Sequence, residues 1–278
     1  MFMGKLDGKV ALVTGAGRGH AEAVAKLFAK EGATLSICDI IPLDELERKV
    51  GSIIRAEGGK VLCFQTDVSQ EEQVNKMVQE TIKNFGTIDI LANVVGIAGP
   101  TKDVWDITLE EWKQTLAVNL DSTFLYSKAV LPEMIRKKWG RIINFSSTTG
   151  KTPLAHRAPY ATTKMGVIGF TRTLAAEVGR FNITVNAVCP GWSGERNVEL
   201  SKAMSEYMGR TFDREAYYKS FEERSQKGVL AGRWLSREGY SDRGSGPDEA
   251  ALLCLFLASD DGDIFTGQDI NLGGYCMW

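Results

Sequence analysis

Lys9-Val-Ala-Leu-Val-Thr-Gly-Ala-Gly-Arg-Gly-His20 opens the chain on a short β-rich apolar run that ends in glycines, and residues 21–30 then carry Val24, Leu27 and Phe28 at helical spacing. The stretch reads as strand, glycine-rich turn, helix. A Cβ in such a turn would keep the backbone away from a ligand phosphate, and the N–H groups and positive end of the following helix favour an anion there. A plain tight turn has the same composition. Its place at the first strand-to-helix junction is what points to a nucleotide.

Working outward, the pattern recurs: strand 34–38, helix 43–57, strand 60–65, helix 70–85 and strand 88–92. Strands that alternate with helices predict parallel βαβ units, because a parallel pair needs a crossover long enough to hold a helix. The second half gives helix 109–132, strand 141–145, helix 160–178 and strand 183–188. Pro247-Asp-Glu then marks a helix start, running to 258, before a last strand at 269–272. The expectation is one α/β domain, a doubly wound Rossmann-type fold with a seven-stranded parallel sheet flanked by helices. Its parts are a dinucleotide-binding half 1–96, a catalytic half 97–191, a helical substrate lid 192–246 after the sixth strand, and a C-terminal helix and strand 247–278.

Composition narrows the partners. A formal charge of -2 offers no electrostatic grip on nucleic acid or an anionic membrane, and no apolar run approaches the roughly 18 residues of a spanning helix. The five cysteines are odd in number and widely spaced, which indicates neither a disulfide framework nor a zinc site. Only about nine residues precede the first strand, too few for a cleavable leader. A cytoplasmic enzyme of a small molecule, with no metal, is the expectation.

Asp39 lies at the predicted end of the second strand, 24 residues after Gly15. An acidic side chain there accepts hydrogen bonds from the adenosine ribose hydroxyls and repels a 2′-phosphate. Arg18 argues the other way, since a guanidinium beside the turn pairs with that phosphate. The balance favours NAD over NADP. Further along, Tyr160 and Lys164 are four residues apart and share one helix face. A tyrosine is a poor base at neutral pH, and a neighbouring cation stabilises its phenolate. Ser147, thirteen residues before Tyr160 and just past a strand, is placed to polarise a substrate oxygen.

Taken together, TGAGRGH at 14–20, Asp67-Val68, Asn93 to Gly96, Asn119, Ser147, Tyr160 with Lys164, and Asn186-Ala-Val-Cys-Pro-Gly191 resemble the short-chain dehydrogenase/reductase family over nearly the full length. The resemblance implies an oxidoreductase that interconverts an alcohol with a ketone or aldehyde. It implies Tyr160 as proton-transferring residue, with Asn119, Ser147 and Lys164 completing the catalytic set; Asn119 would hold a water in a relay from Lys164, or serve only to close a helix kink. Gly15, Arg18, Gly19 and His20 would form the phosphate turn, with Asp39 and Ile40 at the adenosine ribose. Asp67 and Val68 would meet the adenine, and Asn93, Val95 and Gly96 the adenosine side. Tyr160 and Lys164 would meet the nicotinamide ribose, and Pro190, Gly191 and Ser193 the nicotinamide. Family members are commonly tetramers, so a homotetramer is implied.

The chain also departs from the family. Ala21 replaces the third glycine, His20 an aliphatic residue, Val94-Val95 the common Asn-Ala, and Glu195 a hydroxyl that helps anchor the carboxamide. The segment after Gly191 is long and ring-rich, with helices predicted at 198–208 and 214–221. Loops of that length usually bind or cover a ligand. Ser147, Tyr160, Trp192 and Arg196 are the substrate candidates, Arg196 because a guanidinium suits an anionic group. Two rival readings stand beside the NAD-linked dehydrogenase: an NADPH-dependent 3-oxoacyl reductase, and a dinucleotide sensor without catalysis, which would need none of the proton machinery.

Overall fold

The computed structural model describes residues 4–191, 195–216, 219 and 246–272, with the side chains of residues 195–197 and 200 outside that description. Seven strands, β1 (Val10–Thr14), β2 (Thr34–Asp39), β3 (Val61–Gln65), β4 (Ile90–Asn93), β5 (Gly140–Phe145), β6 (Ile183–Pro190) and β7 (Asp269–Leu272), form one sheet. Their order is β3-β2-β1-β4-β5-β6-β7 and every pairing is parallel. The chain winds one way from β1 to β3, returns, and continues the other way from β4. The direction therefore reverses between β1 and β4, and a ligand crevice opens beyond the carboxyl ends of strands at such a point.

The helices are α1 (Gly19–Lys30), α2 (Leu43–Leu46), α3 (Ser52–Ala56), α4 (Glu71–Phe85), α5 (Leu109–Leu116), α6 (Ser122–Lys137), α7 (Ala158–Val178), α8 (Glu195–Tyr207) and α9 (Pro247–Ala258). Successive strand side chains point to opposite faces. Val13, Ile37 and Ile143 accordingly pack with Val24, Phe28 and Leu255 of α1 and α9. Leu12, Leu91, Ile142 and Val185 pack on the other face with Val78, Tyr126, Val130 and Leu174 of α4, α6 and α7. Both faces are covered, which is why the central strands read as continuous apolar runs. Among the described residues no helix is long and apolar enough to cross a membrane.

Three helices differ from their predicted form. The stretch 43–57 contains a π-helical turn, Glu47–Gly51, between α2 and α3. The helix predicted to stop at Pro132 continues to Lys137, after a second π turn, Ala117–Asp121, that joins α5 to α6. Pro132 is exposed, so water can satisfy the carbonyl its ring leaves unpaired, while Val130 and Met134 anchor the helix on either side. The active-site helix begins at Ala158, not Tyr160, because Pro159 sits in the first turn, where its missing N–H is not needed.

Between β4, β5 and α7 runs a buried amide ladder. Asn93 Nδ2 donates to Asn144 Oδ1 at 2.9 Å, and Asn144 Nδ2 donates to Thr171 Oγ1 at 3.0 Å. Asn144→Ala removes the middle rung and strands a buried donor and hydroxyl, at a cost of about 2–3 kcal/mol. Urea unfolding is expected to show a lowered midpoint with an unchanged slope.

Candidate active site

The turn after β1 is shaped by three glycines with different reasons. Gly15 has φ +75°, and a Cβ there would come within 3.0 Å of Val95 Cα. A Cβ on Gly17 would meet Ile41 Cδ1 at 2.7 Å and Asp39 Oδ2 at 2.8 Å. Gly19, with φ +62°, faces open space within 4 Å and is required by conformation alone. Among the described residues no side-chain bond caps the start of the 12-residue α1. A helix start without a side-chain cap, beside open space, fits a pyrophosphate. Ala21 is buried, so the replacement of the third glycine keeps the close helix-to-sheet packing. Arg18 is exposed at the rim of the turn. His20 sets its ring 5.9 Å from that of Phe145, at the end of β5.

Asp39 is tied to this turn. Its Oδ2 accepts from Gly17 N–H at 2.9 Å and its Oδ1 from Ile40 N–H at 2.7 Å, while the Ile40 side chain is exposed. Beyond β3, Asp67 Oδ1 accepts from both Ser69 N–H and Ser69 Oγ, and Val68 is buried in the core, so its backbone is what it offers a ligand. Asn93 likewise turns its amide inward to Asn144. Thr14 supplies the brace that Val94-Val95 does not: its hydroxyl accepts from Val94 N–H at 3.1 Å and Val95 N–H at 3.3 Å.

At the other end of the crevice, Lys164 is buried and Nζ donates to the Phe145 carbonyl at 2.7 Å. Nζ lies 5.8 Å from the Tyr160 ring centre. The sequence-predicted pair thus meets as the helical spacing requires. Ser147 stands two residues past the end of β5, and its Oγ accepts from Thr149 N–H at 3.1 Å, opening a single 3₁₀ turn. Asn119 sits in the π turn, where Oδ1 accepts from Ile97 N–H at 2.8 Å and Nδ2 donates to Ile97 O at 3.0 Å. This amide clamps the loop after β4. Gly96 belongs to the same loop, and a Cβ there would stand 3.3 Å from both Lys164 Nζ and Asn119 Oδ1. Gly96 therefore runs beside the lysine end of the crevice.

Pro190 closes β6 against Leu272, and Gly191 N–H donates to Leu272 O at 2.9 Å. Burial pushes the neighbouring Cys189 thiol up to about 11, so it stays protonated at neutral pH. Trp192 and Ser193 lie outside the described residues, as does the Arg196 side chain on α8. Of the second predicted lid helix, residues 214–216 are helical, and 217, 218, 220 and 221 lie outside the description. The far end of α8 is tethered: Tyr207 Oη donates to Asp106 Oδ2 at 2.8 Å and accepts from Asp103 N–H at 3.0 Å.

Two residues that the motifs did not single out are fixed around the site. Arg157 is buried beside Tyr160. Lys151 ties the Ser147 loop to β7, donating to Asp269 O at 2.5 Å and Asn271 Oδ1 at 2.6 Å. Burial pushes the Asp269 carboxyl up, but hydrogen bonds from Lys151 and Arg172 outweigh it and hold it below its ordinary range. The one sequence signal for Arg157 is a cation just before a proline-started helix.

With this geometry in place, the family can be stated. A short chain dehydrogenase family model matches residues 9–203. The chain is 35% identical to a 3-oxoacyl-(acyl-carrier-protein) reductase of Thermotoga maritima over 276 residues, covering 97% of this chain and 98% of that one. It is also 35% identical to an uncharacterized oxidoreductase of Bacillus subtilis, covering 99% and 93%. Among solved structures, levodione reductase superposes with TM-score 0.82 at 30% identity, covering 97% of each chain. An NAD+-bound xylitol dehydrogenase gives 0.83 at 31%, covering 98% of this chain and 100% of that one. The protein belongs to the short-chain dehydrogenase/reductase family. It is an oxidoreductase of a family that uses nicotinamide cofactors.

Gly17→Ala must push the Asp39 carboxylate off its N–H partner. Dinucleotide affinity, read by quenching of tryptophan fluorescence, is expected to fall about tenfold, or about 1.4 kcal/mol. An unchanged affinity would remove Asp39 and the turn from the binding site.

Proposed function

We propose that the protein is an NAD(H)-dependent dehydrogenase that interconverts an alcohol with its ketone or aldehyde, acting on a polar or anionic small molecule. The observation that carries this reading is the pairing of Lys164 with Tyr160, Nζ 5.8 Å from the phenol ring centre, while Ser147 stands two residues past the end of β5. A dinucleotide sensor has no use for that set.

The cofactor's phosphates would lie on the turn of Gly15, Arg18, Gly19 and His20. Asp39 and Ile40 would hold the adenosine ribose, Asp67 and Val68 the adenine, and the backbone of Asn93, Val95 and Gly96 the floor of the crevice. Tyr160 and Lys164 would reach the nicotinamide ribose, with Pro190, Gly191 and Ser193 beside the ring. A bound nicotinamide supplies the carbon that accepts or donates hydride. In oxidation, Ser147 Oγ holds the substrate hydroxyl and the Tyr160 phenolate takes its proton; in reduction Tyr160 returns that proton to the oxygen. Lys164 stabilises the phenolate by its charge. Asn119 holds the floor loop and would hold a water that relays protons from Lys164 toward solvent. Trp192 and Arg196 would face the substrate.

The preference for NAD is supported by the Asp39 carboxylate, which the Gly17 and Ile40 N–H groups hold at the end of β2 and which would repel a 2′-phosphate. The second reading is an NADPH-dependent 3-oxoacyl reductase. It is favoured by exposed Arg18 and by the names of relatives in Thermotoga maritima and Aquifex aeolicus, at 35% and 33% identity. We further infer a cytoplasmic homotetramer, supported by exposed Phe124 on α6 and Met165 on α7.

Tyr160→Phe is expected to lower kcat by about 10³-fold while NADH binding stays measurable. Near-normal turnover would sink the assignment. Wild type is expected to prefer NADH over NADPH, and Asp39→Ser to narrow the ratio by at least about tenfold. A wild-type preference for NADPH would favour the 3-oxoacyl reductase instead.

A further inference from the structure

Lys151 closes the 3₁₀ turn that Ser147 opens, and its side chain, 25% exposed, runs to the edge strand β7. Nζ donates to the Asp269 carbonyl at 2.5 Å and to Asn271 Oδ1 at 2.6 Å, and stands 2.6 Å from Asp269 Oδ2. An ammonium has three N–H donors, and three acceptors meet this one. One residue earlier the turn presses on α7, where a Cβ on Gly150 would come within 2.8 Å of the Lys164 carbonyl carbon. The loop from β5 to α7 is thus gripped by the helix at Gly150 and by the sheet at Lys151, before it runs through exposed residues 153–155.

Strand β7 holds a second part of the crevice. Leu272 is in register with Pro190, and its carbonyl accepts from Gly191 N–H at 2.9 Å. Consecutive residues of one short strand, Asn271 and Leu272, therefore carry the Ser147 loop and the turn proposed to flank the nicotinamide. A loop that had only to close would leave its lysine in water, since ordering so long a side chain costs conformational entropy. We propose that Lys151 is a positioning residue: it fastens the Ser147 loop to the strand that holds the Gly191 turn, and so sets where the substrate oxygen sits against the nicotinamide. The inference rests on the oxygen-holding role proposed for Ser147. A misplacement of about 1 Å at the reacting atoms is enough to cost about 100-fold in rate.

Asp269 is itself held in place by other partners. Its backbone is in register with Ala187 of β6, and Arg172 Nε of α7 donates to Asp269 Oδ1 at 3.0 Å. Removing the Lys151 ammonium therefore releases the loop and leaves the strand where it is.

The test uses Lys151→Met, which keeps an unbranched side chain and loses its charge and donors, alone and combined with Ser147→Ala. Reduction of ethyl acetoacetate by NADH is the assay, and amide hydrogen exchange of segment 146–152 is read on the same proteins without ligand. Lys151→Met is expected to lower kcat about tenfold with KM for NADH unchanged, and to cost little further turnover once Ser147 is replaced. The segment is expected to exchange at least about tenfold faster, with β5 and β6 as slow as in wild type. Equal losses in both backgrounds, or exchange of the segment as slow as in wild type, overturns the inference and leaves the tie a surface ion pair. The exchange arm decides alone where the wild type does not reduce this probe. Should Lys151→Met fail to fold, Asn271→Ala, which removes one acceptor, is read in the same cycle and must show the same coupling. Ser147→Ala at full activity would remove the proposed role of Ser147 and this inference with it, whereas additive losses remove this inference alone.

Discussion

The site depends on one contact, the seam between the end of β5 and the middle of α7. Ser146 Oγ donates to the Lys164 carbonyl and Lys164 Nζ donates to the Phe145 carbonyl, both at 2.7 Å. Next to them, a Cβ on Gly150 would stand 2.8 Å from the Lys164 carbonyl carbon, so strand exit and helix touch backbone to backbone. A buried ammonium is tolerable where a carbonyl receives it. Once the helix register is fixed by that pair, Tyr160 falls one turn back and Ser147 two residues beyond the strand.

A second consequence reaches the loop after β4. Gly96 passes beside Lys164 Nζ and Asn119 Oδ1, and the Asn119 amide holds Ile97 by both backbone groups. The π turn at Ala117–Asp121 makes this possible, because the wider turn shifts the register between α5 and α6. The loop on which a cofactor would rest is therefore held by Asn119 and runs beside Lys164.

Much of this was legible in the sequence. The apolar runs at 9–14 and 141–145 and the glycines at 15, 17 and 19 gave strands and turn, because sheet faces buried on both sides admit few polar residues. Tyr160 and Lys164 were legible because a helix converts a spacing of four into contact. What escaped joins parts distant along the chain. Arg157 meets Thr101 across 56 positions, Thr14 braces Val94 across 80, and Asn93 turns to Asn144 across 51. No local period encodes such meetings. The π turns escaped too, since one extra residue in a helix leaves its apolar stripe nearly intact.

The tie from Lys151 to β7 bears on how the protein is made. Lys151 Nζ reaches Asn271 Oδ1 across 120 positions, and Arg172 grips Asp269 from the active-site helix across 97. Chains fold largely from the amino-terminal end as they are synthesised. The loop that carries Ser147 thus lacks its anchor through most of translation. The tie from Lys151 to β7 can therefore form only once residues 269–271 have been synthesised, whereas the contacts of Lys164 with Tyr160 and Phe145 need nothing beyond α7.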